Sequence, residues 1–545
     1  MNLGDIARGA ASRIAIESRY AVTLVRAAGP QAALSANPRQ YVDVLKAVRA
    51  HGIEGAATAA AKAMNPHGIA VIDDEGSLSF EDLHRNSGAL AASLHRLGVD
   101  SDSSVGILCR NHRAFFEIFF GAGKLGARTL LLNTDFSGPQ LADVCARESI
   151  SSLICDEEFA DRLDVLGPDI QVVIANGDAA TAAGRPTVRQ LVRDGAGAVA
   201  PRPKRAQRVV LLTSGTTGTP KGAPRDIDIT LAAPGGFLSK VPLRAGRRVL
   251  IAAPLFHAWG LSTSMLAFGM GNTIVISRSL KPQGILDALE THKIDTLITL
   301  PIILSRLLAL GEDEIKARDL GSLRVVALSG SALSAELATR AMDLLGDIVH
   351  NLYGSTEVAF VAIATPEDMR AAPGTVGRPP FGTTVRILDA DGAEVATGTA
   401  GRIFVRSSLQ FGGYTDGANK LITDGFMSTG DMGHLDPDGR LFVEGRDDDM
   451  IVSGGENVFP AEIEELLTAH PNVVEAAVIG IPDEEFGARL RAYVVADGEL
   501  DADDVKDHVR QNLARYKVPR DVVFIDELPR NPAGKVVKRL LPGLD

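Results

Sequence analysis

The stretch Leu211-Leu-Thr-Ser-Gly-Thr-Thr-Gly-Thr-Pro-Lys-Gly222 carries the strongest signal for both fold class and chemistry in this chain. Five hydroxyl side chains, three glycines and Lys221 follow an apolar run typical of a buried strand. Glycines let backbone N–H groups converge, hydroxyls donate to phosphate oxygens, and a lysine supplies positive charge. The stretch therefore predicts a phosphate-binding loop rather than a flexible surface loop. It is not a Walker loop, because Pro220 precedes Lys221 and no Ser or Thr follows it directly.

Short β-branched runs alternate with helical stretches around this loop. Residues 69–72, 105–108, 130–132 and 209–212 have strand character, whereas residues 80–97 show apolar spacing of three and four. Such alternation predicts parallel α/β sheets. After Gly374, glycine-punctuated runs at 385–388, 401–405 and 440–443 predict an antiparallel barrel or hairpins. A smaller unit is expected from about Asp448, with a helix over 460–469 and a strand over 476–479.

Length and charge narrow the function class. The chain has 545 residues, 45% hydrophobic and 23% charged, which is the composition of a multidomain globular protein. With 56 Lys and Arg against 68 Asp and Glu, the net charge of −12 argues against nucleic acid as a partner. Three cysteines without ligand spacing suggest neither a disulfide framework nor a zinc site. With no visible export signal, a cytoplasmic location is expected.

Two segments raise the question of membrane contact. Between Arg248 and Arg278 lie 29 residues without formal charge, long enough to span a bilayer. Interspersed Pro, Gly, Asn and His residues favour a strand, a loop and a buried helix instead. Residues 1–50 carry seven Lys and Arg against three Asp and Glu. Two interpretations of this basic segment stay open: peripheral contact with an anionic membrane, and a helix that packs on the protein itself.

Two motif-like segments are weak. Gly121-Ala-Gly123-Lys-Leu-Gly126 matches a dinucleotide fingerprint by letter, but it follows an apolar helical run, so its glycines are expected to end a helix. Asp436-Pro-Asp438-Gly439 lacks the remaining positions of a calcium loop and is expected to be a β-turn.

Further segments, in order along the chain, accompany the loop: Tyr353-Gly-Ser-Thr-Glu357, Ser428-Thr-Gly-Asp431, Gly445-Arg-Asp-Asp-Asp-Met-Ile451, Gly454-Gly-Glu-Asn-Val-Phe-Pro460 and Asn531-Pro-Ala-Gly-Lys535. With the loop they resemble the adenylate-forming superfamily, which includes acyl-CoA synthetases, luciferases and peptide-synthetase adenylation domains. The resemblance spans about Gly68 to Arg539, and residues 213–222 and 453–465 look most like actinobacterial long-chain fatty-acid CoA ligases.

The resemblance implies an α/β fold. The large N-terminal domain would contain two α/β sheet subdomains and a β-barrel-like subdomain, and the C-terminal domain would be small, mobile and α+β. The implied boundaries are a basic helical extension over 1–65, an ATP- and acyl-binding domain over 66–447, and a mobile domain over 448–545.

The resemblance also implies a site. Its catalytic residues would be Lys535, Glu357, Thr356 and His257, with Mg²⁺ on Glu357 and Thr213. The residues implied to bind ATP or coenzyme A are Thr213, Ser214, Gly215, Thr216, Thr217, Gly218, Lys221, Gly330, Ser331, Ala332, Tyr353, Gly354, Ser355, Asp431, Arg446, Asp448, Gly454 and Gly455.

Within that set, individual roles follow from side-chain chemistry and the resemblance together. Tyr353 offers an aromatic face for adenine, with Gly330 to Ala332 as the opposite wall, and Asp431 can accept both ribose hydroxyls. Asp448 is the implied hinge about which Lys535 is delivered for adenylation and then withdrawn. Taken alone, Asp431 and Arg446 would more often be a surface ion pair.

The acyl side is less specific. Residues 254–261 resemble the lining of the family's acyl pocket, with His257 and Trp259 near its mouth, although His257 is equally typical of a satisfied core histidine. After Gly222 the chain reads Ala-Pro-Arg, where many relatives place Ser or Thr followed by His. Arg225 is a candidate substitute charge near the phosphate or the pocket mouth.

The sequence thus predicts an ATP-dependent fatty-acid CoA ligase whose substrate is a fatty acid. It leaves the oligomeric state open, with a homodimer as one candidate. Its nearest rival is a fatty-acyl-AMP ligase that transfers to a carrier protein. A membrane-bound lipid transporter and a catalytically silent ATP-binding protein are more distant rivals.

Overall fold

A computed structural model describes the chain from residue 65 to residue 543, together with residues 23, 58, 59, 61 and 62. Within that range it does not describe residues 178–183, 214–220, 226–231, 416, 418, 448, 450, 454–455, 484–486 and 532–533. The predicted N-terminal extension therefore lies almost wholly outside the described residues, and its membrane contact stays a prediction.

The chain divides into two compact units. One unit comprises residues Met1–Ser329, Pro380–Gly382 and Ser408–Asn419, and the other comprises Gly330–Pro379, Thr383–Ser407 and Lys420–Asp545. The predicted boundary residue, Asp448, lies outside the described residues, so the boundaries drawn from the sequence stay predictions.

The first unit is built from parallel strands and intervening helices. Its strands are β1 (Ile69–Asp73), β2 (Gly76–Ser79), β3 (Ser104–Leu108), β4 (Arg128–Leu131), β5 (Ser152–Cys155), β6 (Gln171–Ile174), β7 (Arg208–Thr213), β8 (Lys221–Arg225), β9 (Arg248–Ile251), β10 (Thr273–Val275), β11 (Thr296–Thr299) and β12 (Val325–Leu328). Its helices are α1 (Phe80–Arg96), α2 (Arg113–Lys124), α3 (Gly138–Arg147), α4 (Val188–Asp194), α5 (Ala232–Leu238), α6 (Ala258–Gly269), α7 (Pro282–Thr291), α8 (Pro301–Leu308) and α9 (Glu312–Lys316).

These strands form two sheets. In one, the order within this unit is β12-β11-β9-β10-β1-β2, and in the other it is β6-β5-β3-β4-β7-β8. Every neighbouring pair in the two runs is parallel except β1 with β2 and β7 with β8. Buried apolar side chains such as Leu130, Leu153 and Phe159 form a core cluster of the second sheet. The predicted parallel α/β sheets are confirmed.

Helix α1 shows how local sequence sets an element's limits. Ser79 caps its N-terminus by accepting a hydrogen bond from the backbone N–H of Asp82 at 3.0 Å. His95 and Arg96 occupy the last turn, where positive charge favours the carbonyl end of a helix. The structure confirms the predicted helix over residues 80–97, with Leu97 as its C-cap.

Helix α2 explains the dinucleotide-like motif. Gly121 and Gly123 lie inside the final turns of α2, and Gly126 follows with a left-handed φ of +69° before β4. The glycines therefore end a helix that precedes a strand, as the sequence indicated, and they do not open a nucleotide-binding turn.

The uncharged segment after Arg248 folds as β9, a loop, α6 and β10. Helix α6 has only 12 residues, fewer than the roughly 20 that a bilayer requires. Among the residues that the structure describes, no helix is both long and apolar enough to span a membrane. The predicted strand, loop and buried helix are confirmed.

The second unit contains antiparallel sheets. Its strands are β13 (Val349–Ser355), β14 (Ala359–Ala364), β15 (Thr384–Leu388), β16 (Gly401–Arg406), β17 (Ile422–Thr423), β18 (Phe426–Leu435), β19 (Leu441–Arg446), β20 (Ile451–Ser453), β21 (Glu456–Val458), β22 (Val473–Asp483), β23 (Gly487–Ala496) and β24 (Asp521–Phe524). Its helices are α10 (Ala335–Leu345), α11 (Pro366–Ala371), α12 (Pro460–Thr468) and α13 (Ala502–Asn512).

The central sheet of this unit has the order β15-β16-β18-β17, with β19 paired to β18. All of its pairs are antiparallel, as predicted for the region after Gly374. Asp436 to Gly439 connect β18 to β19, and the Gly439 N–H donates to the Asp436 carbonyl at 3.0 Å. This segment is therefore a turn between strands, as expected.

Near the C-terminus, β22, β23 and β24 form a three-stranded sheet. Helices α12 and α13 bury Ile463, Leu467, Val505 and Val509 against it. Pro460 begins α12, where its fixed φ is compatible with a helix start, and Asp501 caps α13. The result is a small α+β layer with its own core.

Candidate functional site

The predicted phosphate loop lies at the tip of a β-hairpin. Strands β7 and β8 are antiparallel, and Thr213 pairs with Lys221 at the end where the loop emerges. Residues 214–220, which include Ser214, Gly215, Thr216, Thr217 and Gly218, lie outside the described residues. Strand geometry still fixes where the loop begins and ends.

The same hairpin separates Arg225 from the loop. Arg225 pairs with Val209, at the opposite end of β7 and β8 from Thr213 and Lys221. Four residues of extended strand span about 13 Å. This backbone placement gives no support to Arg225 as a substitute charge beside the phosphate.

Gly222, immediately after Lys221, is held from two sides. The backbone N–H of Thr415 donates to the Gly222 carbonyl at 2.9 Å, and the Thr415 hydroxyl donates to Glu148 Oε1 at 2.9 Å. Glu148 is buried and forms an ion pair with Arg128. The loop exit is therefore anchored to a buried, charge-balanced carboxylate. This contact could not be predicted from local sequence, because its partners are far apart in the chain.

In the second unit, Tyr353 and Asp431 are joined directly. Tyr353 lies on β13 and Asp431 on β18, and the tyrosine hydroxyl donates to Asp431 Oδ2 at 2.5 Å. Burial raises the pKa of Tyr353 well above its ordinary value, with Asp431 adding to the shift, so the hydroxyl keeps its proton. A fixed phenol thus orients a carboxylate that can accept further hydrogen bonds.

Arg446 supplies charge to the same carboxylate. Asp431 and Arg446 are register partners on β18 and β19, and Arg446 Nε lies 3.5 Å from Asp431 Oδ1. Desolvation raises the pKa of Asp431, while Tyr353, Arg446, Lys420 and Lys535 lower it. Burial thus disfavours the charged form of Asp431, while the neighbouring hydroxyl and cations favour it. Opposing effects of this kind are typical of functional carboxylates.

Glu357 is a nearly buried carboxylate, 8% exposed, at the turn between β13 and β14. The Ser355 hydroxyl donates to Glu357 Oε2 at 2.7 Å. Gly354 is required there, because an added Cβ would lie 1.8 Å from the Ala359 carbonyl oxygen. The close approach of two backbones therefore fixes where Glu357 lies.

Lys535 lies in a turn whose ends are tied together. The Asn531 N–H donates to the Lys535 carbonyl at 2.9 Å, and Gly534 adopts a left-handed φ of +76°. Desolvation and then Arg446 lower the pKa of Lys535, and Asp431 and Glu357 oppose that shift. The side chain is solvent-accessible, so these directions describe an ammonium at the rim of a charged cluster rather than one sealed in a core.

The structure thus brings Tyr353, Asp431, Arg446, Glu357 and Lys535 into electrostatic or hydrogen-bonding range within one unit. Gly330, Ser331, Ala332 and Thr356 belong to the same unit, and Gly330 adopts a left-handed φ of +96°. Asp448, Gly454 and Gly455 lie outside the described residues. Their predicted roles stay predictions.

The predicted acyl-pocket segment lies in the first unit. His257 is the N-cap position of α6, and Trp259 is buried in the first turn. The Trp259 indole N–H donates to the Thr299 carbonyl at 3.0 Å, and its ring packs edge-on against Phe237. Trp259 therefore has a well-satisfied structural environment.

A second polar cluster lies where β3 and β5 end. Cys109, His112 and Asp156 place ligand-type atoms within 4.8 Å of one another, all buried. His112 Nε2 and Asp156 Oδ1 are 2.7 Å apart, and the Arg110 N–H donates to Asp156 Oδ2 at 2.9 Å. Each carboxylate oxygen of the buried Asp156 therefore has a hydrogen-bonding partner, and the Cys109 thiol donates to the Ile154 carbonyl at 3.7 Å.

The chain is similar to known proteins over most of its length. Residues 58–415 match the family described as AMP-binding enzyme, and residues 462–535 match the AMP-binding enzyme C-terminal domain. An indoleacetate–CoA ligase from Aromatoleum aromaticum is 33% identical, covering 87% of this chain and 94% of the relative. A fatty acid–[acyl-carrier-protein] ligase from Streptomyces coeruleorubidus is 31% identical, covering 87% and 92%.

Solved structures give the same fold. The o-succinylbenzoate CoA synthetase from Bacillus subtilis, in complex with its acyl-adenylate intermediate, matches with a TM-score of 0.77 at 26% identity, covering 89% of this chain and 97% of that one. An amide bond synthetase from Marinactinospora thermotolerans matches with a TM-score of 0.78 at 26% identity, covering 90% and 98%. The chain thus has the α/β adenylate-forming fold, with a large N-terminal and a small C-terminal domain.

Proposed function

The chain belongs to the AMP-binding enzyme family, and on that premise we propose that it is an AMP-forming ligase that activates a fatty acid with ATP and transfers it to coenzyme A. Adenylate-forming acyl- or aryl-CoA ligase activity is the class that the family and its relatives support. The fatty-acid substrate is the finer part of the proposal, and it rests on the sequence resemblance.

The observation that carries the proposal is the convergence on Asp431. Its carboxylate receives the Tyr353 hydroxyl, lies beside Arg446, and is within electrostatic reach of Lys535. A carboxylate held this way can accept hydrogen bonds from both hydroxyls of a ribose, and the side chains of Arg446 and Lys535 can bind phosphate oxygens. An ordinary surface ion pair would not require a partly buried tyrosine that donates to the carboxylate.

The first step is acyl-adenylate formation. A substrate carboxylate oxygen attacks the α-phosphorus of ATP, a C–O–P linkage forms, and the bond between the α-phosphorus and the bridging oxygen breaks to release pyrophosphate. Lys535 would stabilise negative charge on the carboxylate and the α-phosphate as the linkage forms. Preorganised charge of this kind contributes about 3 to 4 kcal/mol to lowering a barrier.

Glu357 fits a magnesium ligand. Its carboxylate is a hard oxygen donor, and the Ser355 hydroxyl fixes its orientation. A bound Mg²⁺ would neutralise phosphate charge during the attack. Thr213, the other predicted ligand, ends β7 in the first unit, and its role stays a proposal.

The second step is thioester formation. The coenzyme A thiol loses its proton to solvent, its sulfur attacks the acyl carbonyl, and the C–O bond to AMP breaks as AMP leaves, so no protein nucleophile is needed. We assign to Asp448 the hinge of the movement between the steps, and to Gly454 and Gly455 the approach of the coenzyme A arm. These assignments follow the family resemblance.

A panel of carboxylic acids from acetate through aryl acids to long fatty acids, assayed for coenzyme A-dependent AMP release, tests the substrate. We expect the highest kcat/KM with fatty acids. Chain-length preference should be broad, because each buried methylene contributes only about 0.8 kcal/mol. A clear preference for indoleacetate or another aryl acid would overturn the fatty-acid assignment and leave the ligase class intact.

Lys535→Ala tests the division of labour between the two steps. We expect pyrophosphate exchange to fall by about 100- to 1000-fold, while thioester formation from supplied acyl-adenylate is retained. Lys506→Ala is the matched control, because Lys506 lies on α13 and pairs with Asp503 at 3.9 Å. Normal exchange in the Lys535 variant would contradict the role given to this residue.

A carrier-protein acceptor is the second candidate, favoured by the 31% identical Streptomyces relative. AMP release that persists without any acyl-CoA product would support this acceptor over coenzyme A.

A further inference from the structure

A tight β-hairpin lies directly before the Ser428 to Asp431 segment. Strands β17 and β18 pair Thr423 with Phe426, leaving Asp424 and Gly425 as the two-residue turn. Both turn residues have positive φ, +51° and +79°, as a type I′ turn requires. Such a turn fixes the strand register, because its twist matches that of the paired strands.

This register delivers Lys420 to the nucleotide site. The Ser428 N–H donates to the Leu421 carbonyl at 2.8 Å, so the residue before Leu421 lies opposite Thr429 and Gly430. Lys420 Nζ accordingly lies 3.5 Å from the Thr429 carbonyl oxygen. A side chain added to Gly430 would meet Lys420 Nζ at 3.3 Å and Arg446 Nη2 at 3.5 Å. Two cationic side chains therefore flank the residue that precedes Asp431.

Asp431 is faced by four groups that can carry charge or a proton. These are Tyr353 from β13, Arg446 from β19, Lys420 from the β17 hairpin and Lys535 from the C-terminal turn. Desolvation raises the pKa of Asp431, and all four groups oppose that rise. Arg446 and Lys535 already have assigned roles toward the substrate, whereas Lys420 was not identified from the sequence.

We propose that Lys420 is a positioning residue that acts through Asp431, holding its carboxylate in the charged form that accepts the ribose hydroxyls of an adenine nucleotide. The inference rests on the proposed function, which assigns Asp431 to the ribose. Lys420 should therefore contribute most to nucleotide binding at low pH, where Asp431 would otherwise take up a proton.

The test is AMP binding, measured calorimetrically from pH 5 to pH 8 on the full chain, for the native protein, Lys420→Met and Lys420→Arg. Without the ammonium, the pKa of Asp431 rises further, so the methionine variant loses affinity as the pH falls. We expect Kd to be about tenfold higher than that of the native protein at the acid end. Near pH 8 the two Kd values should converge, and the arginine variant should follow the native protein throughout.

A loss of affinity in Lys420→Met that is equal at every pH would mean that Lys420 contacts the AMP phosphate directly, and it would overturn the positioning role. Equal affinity at every pH would also overturn it. Failure of the native protein to bind AMP would instead refute the proposed function. Thermal unfolding of each variant checks folding, and Lys420→Gln replaces the methionine variant if the latter is unstable.

Discussion

Replacing Gly222 by alanine should slow acyl-adenylate formation by disturbing the exit of the predicted phosphate loop. An added Cβ would lie 2.7 Å from Thr415 Oγ1, 2.9 Å from Thr415 Cγ2 and 3.0 Å from Glu148 Oε1. Gly222 lies in β8 and is not among the residues with left-handed φ, so alanine suits the backbone there. The perturbation is therefore steric and specific.

The cost follows from the Thr415 side chain. Both of its heavy branches lie within 3 Å of the added Cβ, so rotation about χ1 exchanges one clash for the other. The chain must then give up the hydrogen bond from Thr415 to Glu148, an interaction with a charged acceptor that is worth about 1.5 to 3 kcal/mol. Because Thr415 is solvent-exposed, we expect the lower end, which corresponds to roughly a tenfold loss in rate.

A double-mutant cycle on ATP–pyrophosphate exchange measures this coupling. Gly222→Ala and Thr415→Ala should each lower kcat/KM for ATP about tenfold, and the double variant should be no worse than Thr415→Ala alone. Gly412→Ala is the matched control, because a Cβ there meets nothing within 4 Å. Additive losses in the double variant would refute the steric account, as would a Gly222→Ala enzyme with native activity.

Buried Lys124 and the partly buried phenol of Tyr353 are both open to direct test. Desolvation lowers the pKa of buried Lys124 from 10.5 to about 7, so the unfolded chain binds more protons between those values and stability rises with pH across that window. Lys124→Met should flatten this dependence and raise the thermal midpoint most near pH 7; a midpoint whose pH profile matches the native one would contradict it. Tyr353→Phe removes the hydrogen bond to Asp431 and should weaken AMP binding by roughly 10- to 100-fold. Calorimetry gives that Kd, and an unchanged value would show that the phenol does not orient the carboxylate.

Much of the fold could be predicted from local pattern. Helix α1 follows from its serine cap and apolar spacing, and the parallel strands follow from β-branched runs between helices. The Gly121 to Gly126 segment was interpreted correctly because the apolar run before it had helical spacing. The position of Arg225 was not foreseen, since placing it away from the loop requires the β7–β8 register.

The candidate site, like the fold, could be predicted only in part from the sequence. Tyr353, Glu357, Asp431, Arg446 and Lys535 were identified because the segments that contain them resemble those of the adenylate-forming superfamily. The distances between these residues and the hydrogen bond from Tyr353 to Asp431 could not be predicted from the sequence. Lys420 was missed, although the Asp-Gly turn beside it is a recognisable hairpin signal, because the consequence of that turn depends on which strands flank it.

The sequence by itself determined the class of chemistry, since hydroxyls, glycines and a lysine after a buried strand suit phosphate wherever they are placed. Tertiary structure decided which charged side chains lie close enough to interact. Glu148 and Thr415, separated by 267 positions, meet at Gly222, and a hairpin register brings Lys420 within electrostatic range of Asp431. The physical reason is that electrostatic and steric effects depend on distances of a few ångströms, which are set by packing between segments far apart in the chain.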